Sequence, residues 1–236
     1  MKLFLSFDME FVQYEDTICL SIACLLEGHT FIADIADWFL YDLEMFNNEK
    51  ERLQKEFIEK INRCGGSYDD NGHAHDKDFE IMYCFGTYQY IVEKLSWWIV
   101  KVVNDINNLS SYDVDIVPVG DSLHCDISLF NKLVVVKDFK GFEQFNGGNL
   151  HYNQKGIDIN DLICQQICHG DLNAARNYNR EYLLMQFTDC GYIQFIRSFD
   201  DVLSHAITTD VLFQYFYKLR KVDISQWILS TITQNE

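Results

Sequence analysis

Three groups of residues in this chain have the types and spacing for acid–metal chemistry. The first is Ser6-Phe7-Asp8-Met9-Glu10-Phe11, which follows an apolar run. Residues i and i+2 of a strand face the same way, so Asp8 and Glu10 project together, with Phe7, Met9 and Phe11 opposite. Two adjacent carboxylates repel unless a cation lies between them, and oxygen ligands suit Mg²⁺ or Mn²⁺. The second group is Ser204-His205-Ala206-Ile207-Thr208-Thr209-Asp210, leading into the apolar stretch Val211 to Leu219. Five residues on a helix subtend about 140°, so two helical groups at this spacing do not share a face. The spacing therefore predicts His205 in a loop or first turn and Asp210 inside the helix, where the two can converge. The third is Val117-Pro118-Val119-Gly120-Asp121-Ser122-Leu123-His124-Cys125-Asp126. An apolar strand ends in glycine and Asp126 follows as a helix begins, at the strand end where ligands bind in α/β sheets. Asp126 is the stronger candidate; Asp121, nearer the strand, is the alternative. Each group alone also fits an ordinary solvated surface.

Those groups must be carried by a folded chain. The 236 residues are 48% hydrophobic and 15% aromatic, enough for one domain with a full core. One proline and 12 glycines exclude collagen-like and low-complexity architectures. No window approaches 18 apolar residues, and Asp8 and Glu10 cut short the first apolar run. The expectation is a cytoplasmic protein, or a nuclear one by diffusion, with no membrane partner. The eight cysteines form no C-x-x-C pair and mostly sit in apolar segments, as reduced buried thiols do. Cys164, Cys168 and His169 lack the second ligand pair of a zinc site. The net charge of −17 is unlike that of a passive nucleic-acid binder and repels phosphate at long range. Bound divalent cations invert such a field locally.

Apolar patterning predicts strands at Lys2 to Phe7, Thr17 to Leu26 and Thr30 to Ala33, an antiparallel meander with a turn at Gly28. Phe46 to Cys64 is helical in period, and Gly65 to Asp78, which holds His73 and His75, reads as a loop. Tyr88 to Ile106 is an amphipathic helix in which Trp97 and Trp98 belong to the core and its edge. Asp115 to Val119 is a strand, Ser122 to Phe130 a helix, and Leu133 to Val136 a strand or helix end. Ile157 to Cys168, Leu172 to Met185, Ala206 to Leu219 and Ile224 to Ile232, the last capped by Asp223, are helical. Strands clustered early and then separated by helices indicate one mixed-sheet α/β domain over 1–236.

In order and surroundings the three groups resemble the DEDD superfamily of 3′-5′ exonucleases, in its histidine-containing (DEDDh) branch. Asp8 and Glu10 match its Asp-x-Glu at the end of the first strand. Asp126 matches the Asp a few residues after a strand that ends near glycine. His205 and Asp210 match its His, four residues, Asp. The likeness spans residues 2 to 219, and in length the chain is similar to small phage and bacterial members. Asp121-Ser122 and Cys125 replace the usual His-Asn and Phe, and Phe11 replaces the usual Thr. The span of about 35–112 is an elaboration. The resemblance implies a ribonuclease H-like α/β fold: a central mixed sheet with helices on both faces. It implies that Asp8, Glu10, Asp126 and Asp210 hold two divalent cations, Mg²⁺ or Mn²⁺, about 3.5–4 Å apart. His205 is then the general base, a task suited to an imidazole, which ordinarily titrates near pH 6.5. The implied substrate is single-stranded RNA or DNA with a free 3′ end, released as nucleoside 5′-monophosphates. Lys132, Lys137, Lys140, Lys218, Arg220 and Lys221 are candidates to guide the strand. The alternatives are a nuclease-like binding module that does not cut, and an endonuclease of the same fold.

Overall fold

The structure, a computed structural model, describes residues 1–13, 17–35, 43–63, 67–68, 73–75, 80–106, 113–133, 150–187 and 201–221. The amino-terminal apolar run forms β1 (Lys2–Gln13), antiparallel to β2 (Thr17–Leu26), which is antiparallel to β3 (His29–Ile35). Glu27 and Gly28 turn β2 into β3 with φ of +48° and +84°. Two positive φ values in a two-residue hairpin are what a type I′ turn demands, and glycine meets that demand without steric cost.

Beyond β3 come β4 (Ser67–Tyr68), β5 (His73–His75) and β6 (Glu80–Gly86); β7 (Val114–Gly120), β8 (Leu150–Tyr152) and β9 (Ile157–Asp158) follow. Together they make one mixed nine-stranded sheet in the order β4-β5-β6-β3-β2-β1-β7-β8, with β9 also on β7. β1 pairs parallel with β7, and β3 parallel with β6. The single proline, Pro118, sits within β7. It has no N–H to donate, and around it the edge pairing of β7 divides into β8 and β9. Gly156, at φ +65°, lets the chain pass this point; a Cβ there would stand 2.6 Å from the Pro118 carbonyl oxygen.

The helices are α1 (Leu43–Arg63), α2 (Tyr88–Ile106), α3 (Leu123–Leu133), α4 (Ile159–Gln166), α5 (Leu172–Arg176), α6 (Arg180–Met185) and α7 (Asp201–Gln214). A π-helical turn, Tyr215–Leu219, follows α7. They cover both faces. Leu5, Phe7 and Met9 of β1 pack with Ile91, Leu95 and Trp98 of α2 and Phe130 of α3. Phe4 of β1 packs on the other face with Leu162, Leu183, Ala206 and Phe213 of α4, α6 and α7. A strand covered on both faces must be apolar on both, so Ser6 and Asp8 are exceptions within β1.

Several expectations change. β1 runs on to Gln13 because β2 is long enough to pair with it, so Asp8 and Glu10 lie inside the strand, not at its end. The 65–78 span expected as a loop contains β4 and β5, and β6 was not foreseen. Leu172 to Met185 divides into α5 and α6 because the Asn179 side chain accepts from Tyr182 N and caps a new helix. Ile157 and Asp158 are strand, with α4 starting only at Ile159. The 134–136 segment and the 224–232 helix with its Asp223 cap lie outside the described residues. No helix among the described residues is long and apolar enough to cross a membrane.

Candidate active site

The parallel ladder between β1 and β7 ends at Ser6 and Val119. Asp8 and Glu10 follow, paired on their other side with Ala23 and Ser21 of β2, and a bulge comes directly after Glu10. They rise just beyond the carboxyl end of β7, in the crevice where α/β sheets bind ligands. Asp8 is 9% exposed, and Glu10 is open to solvent. α7 crosses this face and sets His205 Nδ1 3.5 Å from Asp8 Oδ2. Asp8, Glu10 and His205 each offer a ligand atom within 4.8 Å of the others. Asp8 Oδ2 is buried, and its contact with His205 is too long for a full hydrogen bond. Burial raises the Asp8 pKa above the usual carboxylate value, and His205 opposes that rise.

His205 stands in the second turn of α7, not in a preceding loop, because the helix begins at Asp201 rather than near Ala206. His205 and Asp210 both face β1 but meet different residues of it. Asp210 accepts a hydrogen bond from Ser6 Oγ at 2.8 Å and is also hydrogen-bonded by Gln214. Five helical residues rise about 7.5 Å and two strand residues about 6.7 Å, so α7 runs antiparallel along β1 with His205 over Asp8 and Asp210 over Ser6. Burial raises the Asp210 pKa. The structure thus gathers Asp8, Glu10 and His205 and does not bring Asp210 into that group.

Asp126 lies in the first turn of α3, 8% exposed. Its pKa is pushed up to about 7, first by burial and then by the carboxylates of Asp8, Asp158, Glu10 and Asp121. Asp158 is a member that sequence reasoning missed. It caps α4, accepting from Asn160 N at 2.8 Å, and its Oδ2 lies 3.6 Å from His124 Nδ1. The signal for it was an Asp directly before a helical run, the usual N-cap pattern. Asp121 is paired with Arg180, whose Nε donates to Asp121 Oδ2 at 2.8 Å.

Lys218 lies in the π-helical turn that follows α7, and Arg220 and Lys221 come directly after that turn, more than three turns along the chain from His205. Arg220 donates to the Gln166 carbonyl there at 3.0 Å. Lys137, Lys140 and the Lys132 side chain lie outside the described residues. His124, Lys155 and Arg176 line a cleft of about 480 Å³ beside α3, together with Asp158 and Asp161. Cys24, Cys84 and Cys164 are buried cysteines and Cys168 is half-buried; among the described residues the group with ligand atoms close enough together to hold one metal ion is Asp8, Glu10 and His205.

No protein-family description matches this chain, and no curated protein is significantly similar to it.

Proposed function

We propose that the chain is a metal-dependent 3′-5′ exonuclease of ribonuclease H-like fold. It hydrolyses single-stranded RNA or DNA from a free 3′ end to nucleoside 5′-monophosphates. The observation that carries this reading is the cluster of Asp8, Glu10 and His205, in which the buried Asp8 Oδ2 meets His205 Nδ1 at 3.5 Å, too long for a full hydrogen bond. A buried carboxylate oxygen held by one long contact is costly, and a cation relieves it. The donors fit the group: hard carboxylates with one imidazole suit Mg²⁺ or Mn²⁺. The α/β layout, with a mixed sheet covered on both faces, agrees with the fold that the resemblance implies.

Asp8 and Glu10 from β1 and Asp126 from α3 would hold the cations, with Asp210 behind Asp8 through Ser6. Bound there, divalent cations supply the positive charge the composition lacks, acidify an attacking water and stabilise a leaving 3′ oxygen. His205, mostly exposed beside Asp8, takes the proton of the water that attacks phosphorus. The Asp8 carboxylate, 3.5 Å away, stabilises that imidazole once protonated.

The test is degradation of 5′- and 3′-labelled single-stranded RNA and DNA with Mg²⁺, Mn²⁺ or EDTA. Mononucleotides from the 3′ end, with none formed in EDTA, are expected. Hydrolysis in excess chelator overturns the metal requirement, and oligonucleotide products turn the reading to an endonuclease. One observation favours a second reading, a binding module that does not cut: Asp210 is engaged by Ser6 and Gln214. That reading expects Mn²⁺ binding without any product.

A further inference from the structure

Arg180 opens α6 and is largely buried, its side chain 16% exposed. All five of its N–H donors are used. Nε donates to Asp121 Oδ2 at 2.8 Å, and Nη2 to Asp121 Oδ1 at 3.1 Å and to Asn160 Oδ1. Nη1 donates to the carbonyls of Ala175 at 2.7 Å and Tyr178 at 2.8 Å. Asn160 in turn donates from Nδ2 to Asp121 Oδ1 at 2.8 Å and to Ser122 Oγ at 3.0 Å. One guanidinium therefore ties the β7–α3 turn to the first turn of α4, the end of α5 and the start of α6.

The turn it grips is strained. Ser122 has φ +57°, a left-handed conformation that a non-glycine residue adopts only when its surroundings hold it there. The carboxylates of Asp121 and Asp126 sit on either side of this turn and feel each other. A rotation at Ser122 swings the first turn of α3, and with it Asp126, relative to Asp8 on β1. We propose that Arg180 is a positioning residue that sets the Asp126 carboxylate against Asp8 by holding the Asp121-Ser122 turn. This rests on Asp126 being a cation ligand in the reading above. A buried ion pair is a poor source of net stability, because desolvation offsets its attraction. What a planar five-donor fork supplies is direction, and lysine cannot reproduce that.

The experiment compares Arg180→Lys with the unaltered full chain and with a variant on the opposite face of the sheet, Leu95→Ala or Ile99→Val, chosen for an equal loss of melting temperature. Mn²⁺ affinity by electron paramagnetic resonance, and kcat and KM on a single-stranded oligonucleotide, are read on each. Arg180→Lys is expected to weaken Mn²⁺ binding about 10-fold or more, the size usual for groups that orient metal ligands, and to lower kcat with KM unchanged. The matched control keeps the affinity of the unaltered chain within about twofold. Should Arg180→Lys fail to fold, Arg180→Gln combined with Asp121→Asn removes both charges, leaves none unpaired, and is expected to show the same loss of affinity. Unaltered affinity in the folded variant, or an equal loss in the control, overturns the positioning role. A parent chain that binds Mn²⁺ but never cleaves, with affinity lost in Arg180→Lys, overturns the exonuclease reading and upholds the positioning role.

Discussion

Two polar assemblies flank the turn between Asp121 and Asp126, and they are satisfied in opposite ways. Around Arg180 every guanidinium N–H has an acceptor, and both amide protons of Asn160 are used. Around Asp8, carboxylates crowd together, burial raises their pKa values, and one buried oxygen is held by one long contact. Both contain acids beside a basic side chain, so composition does not separate them. Satisfaction does. An assembly that is complete in itself fixes geometry, whereas one left incomplete at a cost of about 1–3 kcal/mol per unpaired group is a place for an occupant.

The largest expected effect comes from exchanging one acid in each assembly. Asp8→Asn should reduce cleavage to background and abolish Mn²⁺ binding. It should also raise the melting temperature of the metal-free chain at pH 8, because burial already disfavours the charged form of Asp8. Asp121→Ala should do the reverse to stability. It strands the buried Arg180 cation, costs about 3–5 kcal/mol, and lowers the melting temperature by roughly 10 °C. If Asp8→Asn melts below the unaltered chain at pH 8, the contrast between the assemblies collapses.

His205→Ala sharpens the comparison within the incomplete assembly. Turnover should fall about 10²–10⁴-fold, as removal of a general base does. The side chain is 60% exposed, so the melting temperature should move by no more than about 2 °C. A large thermal shift with intact turnover per folded molecule would make His205 a packing residue instead.

The smallest effect is the pH dependence of the metal-free chain. The Asp126 pKa lies near 7 when folded and near its ordinary value when unfolded. Between those values the folded state holds more protons, so stability falls as pH rises. From pH 5 to 8 the loss should be about 2.5 kcal/mol, or about 5–10 °C. Asp126→Asn should flatten the curve, and Mg²⁺ should flatten it in the unaltered chain. Calorimetry across that range checks both. An unchanged slope in Asp126→Asn assigns the dependence to another group.

Much of the scaffold was legible in the residues because it depends on near neighbours. The short apolar run over Lys2 to Phe7 marks a strand, and Glu27-Gly28 turns β2 into β3. Apolar recurrence at Ile91, Leu95, Trp98 and Val102 marks the buried face of α2. The shared face of Asp8 and Glu10 follows from the same period of two. These features span a few residues, where dihedral preference and periodicity act directly. Docking decided the rest. Whether His205 stands in a loop or a helix depended on where α7 could start against the sheet, and that start turned Asp210 toward Ser6, 204 residues away in the chain. The approach of Asp158 to Asp126, and the grip of Arg180 on Asp121 across 59 residues, likewise join segments that share no local pattern. Hydrophobic burial brings such segments together without direction, and only in the packed chain do hydrogen bonds and desolvation determine which carboxylates are paired and which are left open.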